Sequence, residues 1–301
     1  MHVLVPHADA AQHMGGVPEG VELIFWPGTE ELPAGFERAE VFVPPWWAKQ
    51  RAAREMARMP KLQLVQTLGA GYDWIIGGLP PGVLLANASG VNARPVAEWV
   101  LGGILNTVRG FPGFYRDQLE ARWDQRMAGE LGGSRAVVLG YGQVGQRVAA
   151  LLRAFDVDVA VVASASRPGV FGPADVVDLL RAADIVVVAV PLNTETTAMV
   201  DERFLARMRD GSILVNVARG AVVDTDALVA ELKVDRIRAV LDVTDPEPLP
   251  TDHELWRMPG VIITPHVASV VPSFLPSSYR RIRAQLVRML NGDEPENVVA
   301  R

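Results

Sequence analysis

Short apolar runs bounded by turn residues alternate along the chain with longer stretches of helical spacing. In the first third the runs are His2–Pro6, Val21–Trp26, Glu40–Val43, Leu62–Gln66 and Val83–Leu85. A second, more apolar series follows at Ala136–Gly140, Val157–Val162, Ile185–Val190, Ile213–Val217, Ile237–Asp242 and Val261–Thr264. Such alternation predicts parallel strands joined by crossover helices. Nearly continuous Val, Ile and Leu runs predict central strands covered on both faces. The expected fold is therefore α/β, with two doubly wound parallel-sheet domains. Ala48–Arg58 reads as a helix ending before Pro60. Arg94–Asp124 is mostly helical, with an interruption at Gly110–Gly113, and is too long for a simple linker. Ser277–Asn291 has helical spacing and is expected to cross back onto the first domain. One domain is thus expected to comprise 1–93 and 273–301, and the other 94–272.

The length of 301 residues agrees with two domains at roughly 150 residues each. There is no cysteine, which removes disulfides, thiolate nucleophiles and iron–sulfur clusters together. The formal net charge of −6 is opposite in sign to the footprint of a general nucleic-acid binder. No His, Asp and Glu cluster has metal-ligand spacing on one element, so no metal is expected. The longest apolar run, Ile185–Val190, is far below the ~20 residues of a membrane helix. The opening Met1-His2-Val3-Leu4-Val5 begins like a strand and not like a signal peptide. Those features predict a soluble, cytoplasmic protein whose partner is a small molecule.

The first candidate chemistry lies at Gly140-Tyr141-Gly142-Gln143-Val144-Gly145, which follows the run Ala136–Leu139 and precedes a helix expected over Gln146–Phe155. Strand, glycine turn and helix in this order are the context that makes GxGxxG a dinucleotide signal. Gly140 permits the tight turn, Gly142 lets the backbone approach a pyrophosphate, and Gly145 lets the helix sit close to the strand. The second domain is accordingly expected to be a Rossmann-type cofactor domain, and the smaller first one a flavodoxin-like substrate domain. An Asp or Glu at the end of the next strand would select NAD through the ribose 2′-hydroxyl. Here that strand ends in Ala163-Ser164-Ala165-Ser166-Arg167, while Asp156 and Asp158 stand at its other end. Ser164, Ser166 and Arg167 suit a 2′-phosphate, so NADP(H) is expected over NAD(H), with NAD(H) the alternative.

Three further runs end in chemically capable residues. Ile213–Val217 leads to Arg219, Ala239–Asp242 leads to Glu247, and Val261–Thr264 leads to His266. Strand C-termini of a parallel sheet share one edge, where ligands bind. The three side chains suit hydride transfer to a 2-oxo acid. Arg219 would clamp the carboxylate and polarise the carbonyl, His266 would donate a proton to the developing alkoxide, and Glu247 would hold the imidazole in position.

The segments Asn216-Val217-Ala218-Arg219-Gly220, Leu241-Asp242-Val243 with Glu247-Pro248-Leu249-Pro250, and Thr264-Pro265-His266 resemble the signatures of the D-isomer-specific 2-hydroxyacid dehydrogenases. In character the chain is nearest to the NADPH-dependent glyoxylate and hydroxypyruvate reductases. The resemblance implies that Arg219, Glu247 and His266 are the catalytic triad, that Asp242 contacts the nicotinamide carboxamide and that Ala218 is a further cofactor-binding residue. Leu68-Gly69-Ala70-Gly71 is similar to the loop whose backbone, around Ala70 and Gly71, holds the substrate carboxylate. Val190-Pro191-Leu192-Asn193 through Thr196-Thr197 is similar to a cofactor-lining segment. The stretch about 94–124 is similar to a dimerisation arm, which implies a homodimer. Thr244 departs from the family, which usually has an aromatic residue there. The implied activity is NADP(H)-linked reduction of a small 2-oxo acid such as glyoxylate or hydroxypyruvate. Its alternatives are an NAD-linked enzyme for a larger acid and a dinucleotide-sensing protein like the corepressors of this fold.

Pro44-Pro45-Trp46-Trp47 also follows a strand end, and Trp46 and Trp47 are candidates for an apolar wall over the substrate. His7 follows the first strand and is a weaker candidate for the same edge. Thr251-Asp252-His253-Glu254 reads as a capping box with Thr251 as the cap.

Overall fold

The structure, a computed structural model, describes residues 1–300. Among these residues the strands, in chain order, are β1 (His2–Val5), β2 (Glu22–Phe25), β3 (Val41–Phe42), β4 (Leu64–Gln66), β5 (Leu84–Ala86), β6 (Arg135–Leu139), β7 (Asp158–Val162), β8 (Ile185–Val188), β9 (Ile213–Asn216), β10 (Arg238–Leu241), β11 (Val261–Ile263) and β12 (Val298–Ala300). The chain divides into two compact units, Met1–Asn92 with Val271–Arg301, and Ala93–Val270.

In the first unit the six-stranded sheet has the order β12-β5-β4-β3-β1-β2. Successive side chains of a strand point to opposite faces. Leu4, Phe42, Val65 and Leu85 therefore meet Trp26, Met56 and Ile75 on one side, while Val3, Val5, Val41 and Leu64 meet Tyr279, Ile282 and Leu286 on the other. The last three belong to the helix Phe274–Leu290, which covers this second face. All neighbours pair in parallel except β12, which runs antiparallel to β5 with Val298 opposite Ala86. The run Val298-Val299-Ala300 was not among the expected strands. It is too short to show a period, and pairing with β5 is what makes it a strand.

The second unit holds a fully parallel six-stranded sheet in the order β11-β10-β9-β8-β6-β7. Val137, Val186, Leu214 and Ala239 face one apolar layer; Val138, Val187, Val215 and Val240 face another. Both faces are buried, which is why these strands read as unbroken apolar runs.

Four local expectations need correction. The helix after the glycine turn is Gln143–Ala154, three residues earlier than the sequence pattern suggested, because Gly142 is already its extended cap and the rest of the motif forms its first turn. The interruption in 94–124 is narrower than expected. The helices Ala93–Val108 and Phe111–Leu119 are broken only around Gly110, at φ 68°, and Pro112 sits in the second helix's first turn, where its missing N–H costs nothing. The α-helix near Pro60 is only Lys49–Glu55, extended by 3₁₀ turns at Trp46–Ala48 and Met56–Arg58. Finally, the cap before Trp256 is His253, whose Nδ1 accepts from the Leu255 amide at 3.2 Å, and not Thr251.

Candidate active site

The strand order of the second sheet reverses between β6 and β8, which is where an open α/β sheet presents its ligand crevice. The glycine turn lies directly beyond β6. Gly140 has φ 99°, and a Cβ there would stand 2.4 Å from the Ala189 carbonyl oxygen, so the turn lies against the backbone that leaves β8. A Cβ on Gly145 would collide with the Gly140 carbonyl oxygen, so the helix Gln143–Ala154 starts hard against the turn. A Cβ on Gly142 would meet nothing within 4 Å. Two glycines are thus required by packing and the third opens onto free space at a helix N-terminus, a cradle that fits a dinucleotide pyrophosphate. Gln143 and Val144 complete the first turn of that helix.

Around this turn the other expected cofactor residues fall into two groups. Val190 and Pro191 follow β8, and the Thr196 hydroxyl donates to the Pro191 carbonyl at 2.6 Å, fixing that loop. Ser164, Ser166 and Arg167 follow β7 and are exposed, with the Arg167 guanidinium 5.5 Å from the centre of the Tyr141 ring. A cation therefore rests beside the glycine turn. Asp158 opens β7 at the opposite end.

Three loops at the C-terminal edge carry the acid–base candidates. Beyond β9, buried Asn216 accepts from the Ala218 amide at 3.0 Å and donates to the Arg219 carbonyl at 3.0 Å, which shapes the turn presenting Arg219. The half-buried Arg219 guanidinium donates to the Ala218 carbonyl at 2.8 Å. A Cβ at Gly220 would overlap the Thr244 carbonyl, so the loops after β9 and β10 are in direct contact. Thr225 reinforces that contact with a 2.8 Å bond to the Asp245 carbonyl. Thr244, where the family usually has an aromatic residue, spends its hydroxyl on the Pro246 carbonyl at 3.0 Å and so stiffens the Glu247 loop.

Asp242 organises the third loop. Its buried carboxylate accepts from the Thr264 hydroxyl at 2.6 Å, the Val267 amide at 2.8 Å and the Ala268 amide at 3.0 Å. Its carbonyl accepts from the His266 amide at 2.7 Å. Within this clamp His266 takes φ 54°, a left-handed conformation costly for a side-chain-bearing residue and held by the surrounding bonds. His266 Nδ1 and Glu247 Oε1 are 2.8 Å apart. An ionised carboxylate only accepts, so Nδ1 donates and Nε2 is the nitrogen left to face a reactant. Sequence reading missed Asn216, Thr225 and Thr264. For Asn216 and Thr264 the available signal was a polar residue closing, or directly following, an apolar strand run; Thr225, which opens the helix Thr225–Lys233, carried no such signal.

In the first unit, Ala70 and Gly71 follow β4. The Gly69 carbonyl accepts from Thr67 Oγ1 at 2.7 Å, and the Ala70 carbonyl accepts from Asn87 Nδ2 at 2.9 Å. Trp46 and Trp47 follow β3 as a T-shaped pair with centroids 4.7 Å apart.

A family model described as D-isomer specific 2-hydroxyacid dehydrogenase, NAD binding domain, matches residues 101–268. A glyoxylate reductase of Thermofilum pendens is 32% identical over 264 residues, spanning 82% of this chain and 77% of that protein. A D-3-phosphoglycerate dehydrogenase of Methanocaldococcus jannaschii is 31% identical over 97% of this chain, which matches 57% of that protein. A D-isomer specific 2-hydroxyacid dehydrogenase from Xanthobacter autotrophicus Py2, solved in complex with NADPH and MES, has a TM-score of 0.85 at 29% identity and covers 99% of this chain and 97% of its own. The chain belongs to the D-isomer-specific 2-hydroxyacid dehydrogenases and is an NAD(P)-dependent oxidoreductase acting on the CH–OH group of its donors. Among the described residues, no helix is long and apolar enough to cross a membrane.

Proposed function

We propose that this enzyme reduces small 2-oxo acids of the glyoxylate and hydroxypyruvate kind, with NADP(H) as the preferred dinucleotide. The observation that carries the reading is the His266–Glu247 pair on the strand edge that also presents Arg219. When bound, the dinucleotide supplies the hydride. Arg219 binds the substrate carboxylate and polarises the 2-oxo group. His266 delivers a proton from Nε2 to the oxygen as it gains charge, and Glu247 keeps the ring oriented through Nδ1. Asp242 holds the loop in which His266 sits, and its Oδ2, which accepts from the Ala268 amide, retains capacity for a carboxamide. In the first unit the carbonyls of Gly69 and Ala70 are turned inward, which leaves the Ala70 and Gly71 amides to anchor a carboxylate. Trp46 and Trp47 supply apolar surface for the rest of the substrate.

The NADP(H) preference is supported by Arg167 beside Tyr141 and by the hydroxyls of Ser164 and Ser166, where an NAD-selecting carboxylate would otherwise stand. Similarity to a structure solved with NADPH points the same way. Initial rates with each dinucleotide test it. Arg167→Ala is expected to weaken use of NADPH about tenfold while sparing NADH; an equal effect on both would remove the assignment.

A homodimer formed through the 94–124 region is part of this reading. Ala93–Val108 covers the sheet through Ala97, Val100 and Ile104, whereas Phe111, Tyr115, Leu119 and Trp123 are exposed beyond it. A patch of that kind suits a protein interface. Sedimentation of the wild type and of Tyr115→Glu, expected as dimer and monomer, checks it.

A further inference from the structure

An exposed arginine ordinarily loses part of the affinity it could give a ligand to the ordering of its own long side chain. Around Arg167 that ordering is built into the fold. The chain leaving β7 turns back against it: the Phe171 amide donates to the Val161 carbonyl at 2.8 Å and the Ala163 amide to the Phe171 carbonyl at 3.0 Å. At the tip of this loop the amides of Arg167 and Val170 donate to each other's carbonyls at 3.0 and 2.8 Å, across Pro168 and Gly169. Proline followed by glycine, here at φ 77°, is the pair such a turn favours. The backbone that carries Arg167 is therefore tied on both sides.

Its side chain is held by a ring. The guanidinium carbon lies 5.5 Å from the centre of Tyr141, within the range of a cation–π contact. Among the described residues the guanidinium is in no ion pair, so Tyr141 is the group that meets its charge. Tyr141 is itself fixed. Its half-buried ring packs against the apolar layer that includes Val138 and Val148, and the Gln146 side chain donates to its carbonyl at 3.0 Å. A pyrophosphate cradle does not require an aromatic residue here, because the dinucleotide motif leaves the position between its first two glycines open. The ring's contact is with the cation.

We propose that Tyr141 is a positioning residue for dinucleotide selection, whose ring holds the Arg167 guanidinium ready for a ribose 2′-phosphate before the dinucleotide arrives. Arg167 is the group that meets the phosphate, and Tyr141 acts through it. The assignment rests on the NADP(H) reading above and adds to it the residue that preorganises the selecting cation. Both residues and the loop that carries them lie within the single unit Ala93–Val270.

The test is calorimetric titration of the full chain with NADPH and with NADH, for the wild type, Tyr141→Leu, Tyr141→Phe, Arg167→Ala and the combination of Tyr141→Leu with Arg167→Ala. NADH lacks only the 2′-phosphate, so it controls for folding, for the glycine turn and for the rest of the dinucleotide. Tyr141→Leu is expected to raise the Kd for NADPH about threefold and to leave that for NADH unchanged. Tyr141→Phe keeps the aromatic face and is expected to match the wild type. In the Arg167→Ala background Tyr141→Leu is expected to change neither Kd, because the contact is already gone. An unchanged Kd for NADPH in Tyr141→Leu, an equal rise for both dinucleotides, or a rise that persists without Arg167 would overturn the assignment. A wild type that bound NADH as tightly as NADPH would instead remove the NADP(H) reading, and this assignment with it.

Discussion

His266 and Glu247 leave different strands, β11 and β10, yet their Nδ1 and Oε1 atoms lie 2.8 Å apart. The bond fixes which ring nitrogen is free. Glu247→Gln keeps the shape but offers an amide that can present either end to the ring, so imidazole orientation and tautomer are no longer set. A fall in kcat of about a hundredfold is expected, with little change in dinucleotide affinity. Steady-state rates and dinucleotide titration on the same preparation separate the two effects.

Two glycines three residues apart should respond differently to the same added methyl group. Gly145→Ala forces a Cβ into the Gly140 carbonyl oxygen and should destabilise the fold by about 3 kcal/mol. At Gly142 the Cβ meets no protein atom within 4 Å, so Gly142→Ala should leave Tm nearly unchanged while weakening dinucleotide binding. Equal losses of Tm would show that the space beside Gly142 is not kept for a ligand.

Asp242 accepts three donors through its carboxylate, two of them main-chain amides of the His266 loop. Asp242→Ala leaves those buried and half-buried donors unpaired and should cost about 3 kcal/mol. It also releases the loop that holds His266 at φ 54°. Denaturant unfolding measures the first effect. Activity of the still-folded fraction, expected to fall at least tenfold, measures the second.

Tyr279 gives a prediction on the alkaline side. Its folded-state pKa is raised by burial from the ordinary value of 10.0, so the unfolded chain loses this proton first as pH increases. The stabilisation is fully present below pH 10 and is lost as pH rises from there towards the folded value. Thermal melts of the wild type should therefore fall in Tm above about pH 10, and Tyr279→Phe should flatten that fall.

How far the chain can be read without its structure depends on how local each signal is. The β8 sequence Ile-Val-Val-Val is buried on both faces and shows it in four consecutive residues. β12 shows nothing comparable, because Val298–Ala300 becomes a strand only through its partner β5, far away in sequence. The glycine turn was legible because Gly140 and Gly145 answer nearby steric demands while Gly142 keeps the helix start open. Its helix start was misjudged because the motif residues are themselves helical, which composition hides. Arg219, Glu247 and His266 were legible as polar residues beyond apolar runs. The clamp that shapes their loops was not: Asn216, Thr225 and Thr264 act through bonds to backbone groups that only the fold brings near. Nor could spacing reveal that His7 and Tyr279, at opposite ends of the chain, share a hydrogen bond.

The central claim is that His266 supplies the proton in an NADPH-linked reduction of small 2-oxo acids. Its most direct test is the rate of NADPH consumption with glyoxylate and hydroxypyruvate, wild type against His266→Ala. The account predicts turnover by the wild type and a loss of about 10³ in kcat for the variant with both acids, with dinucleotide binding retained. Comparable kcat values for wild type and variant, or wild-type binding of NADPH without turnover of either acid, would contradict it.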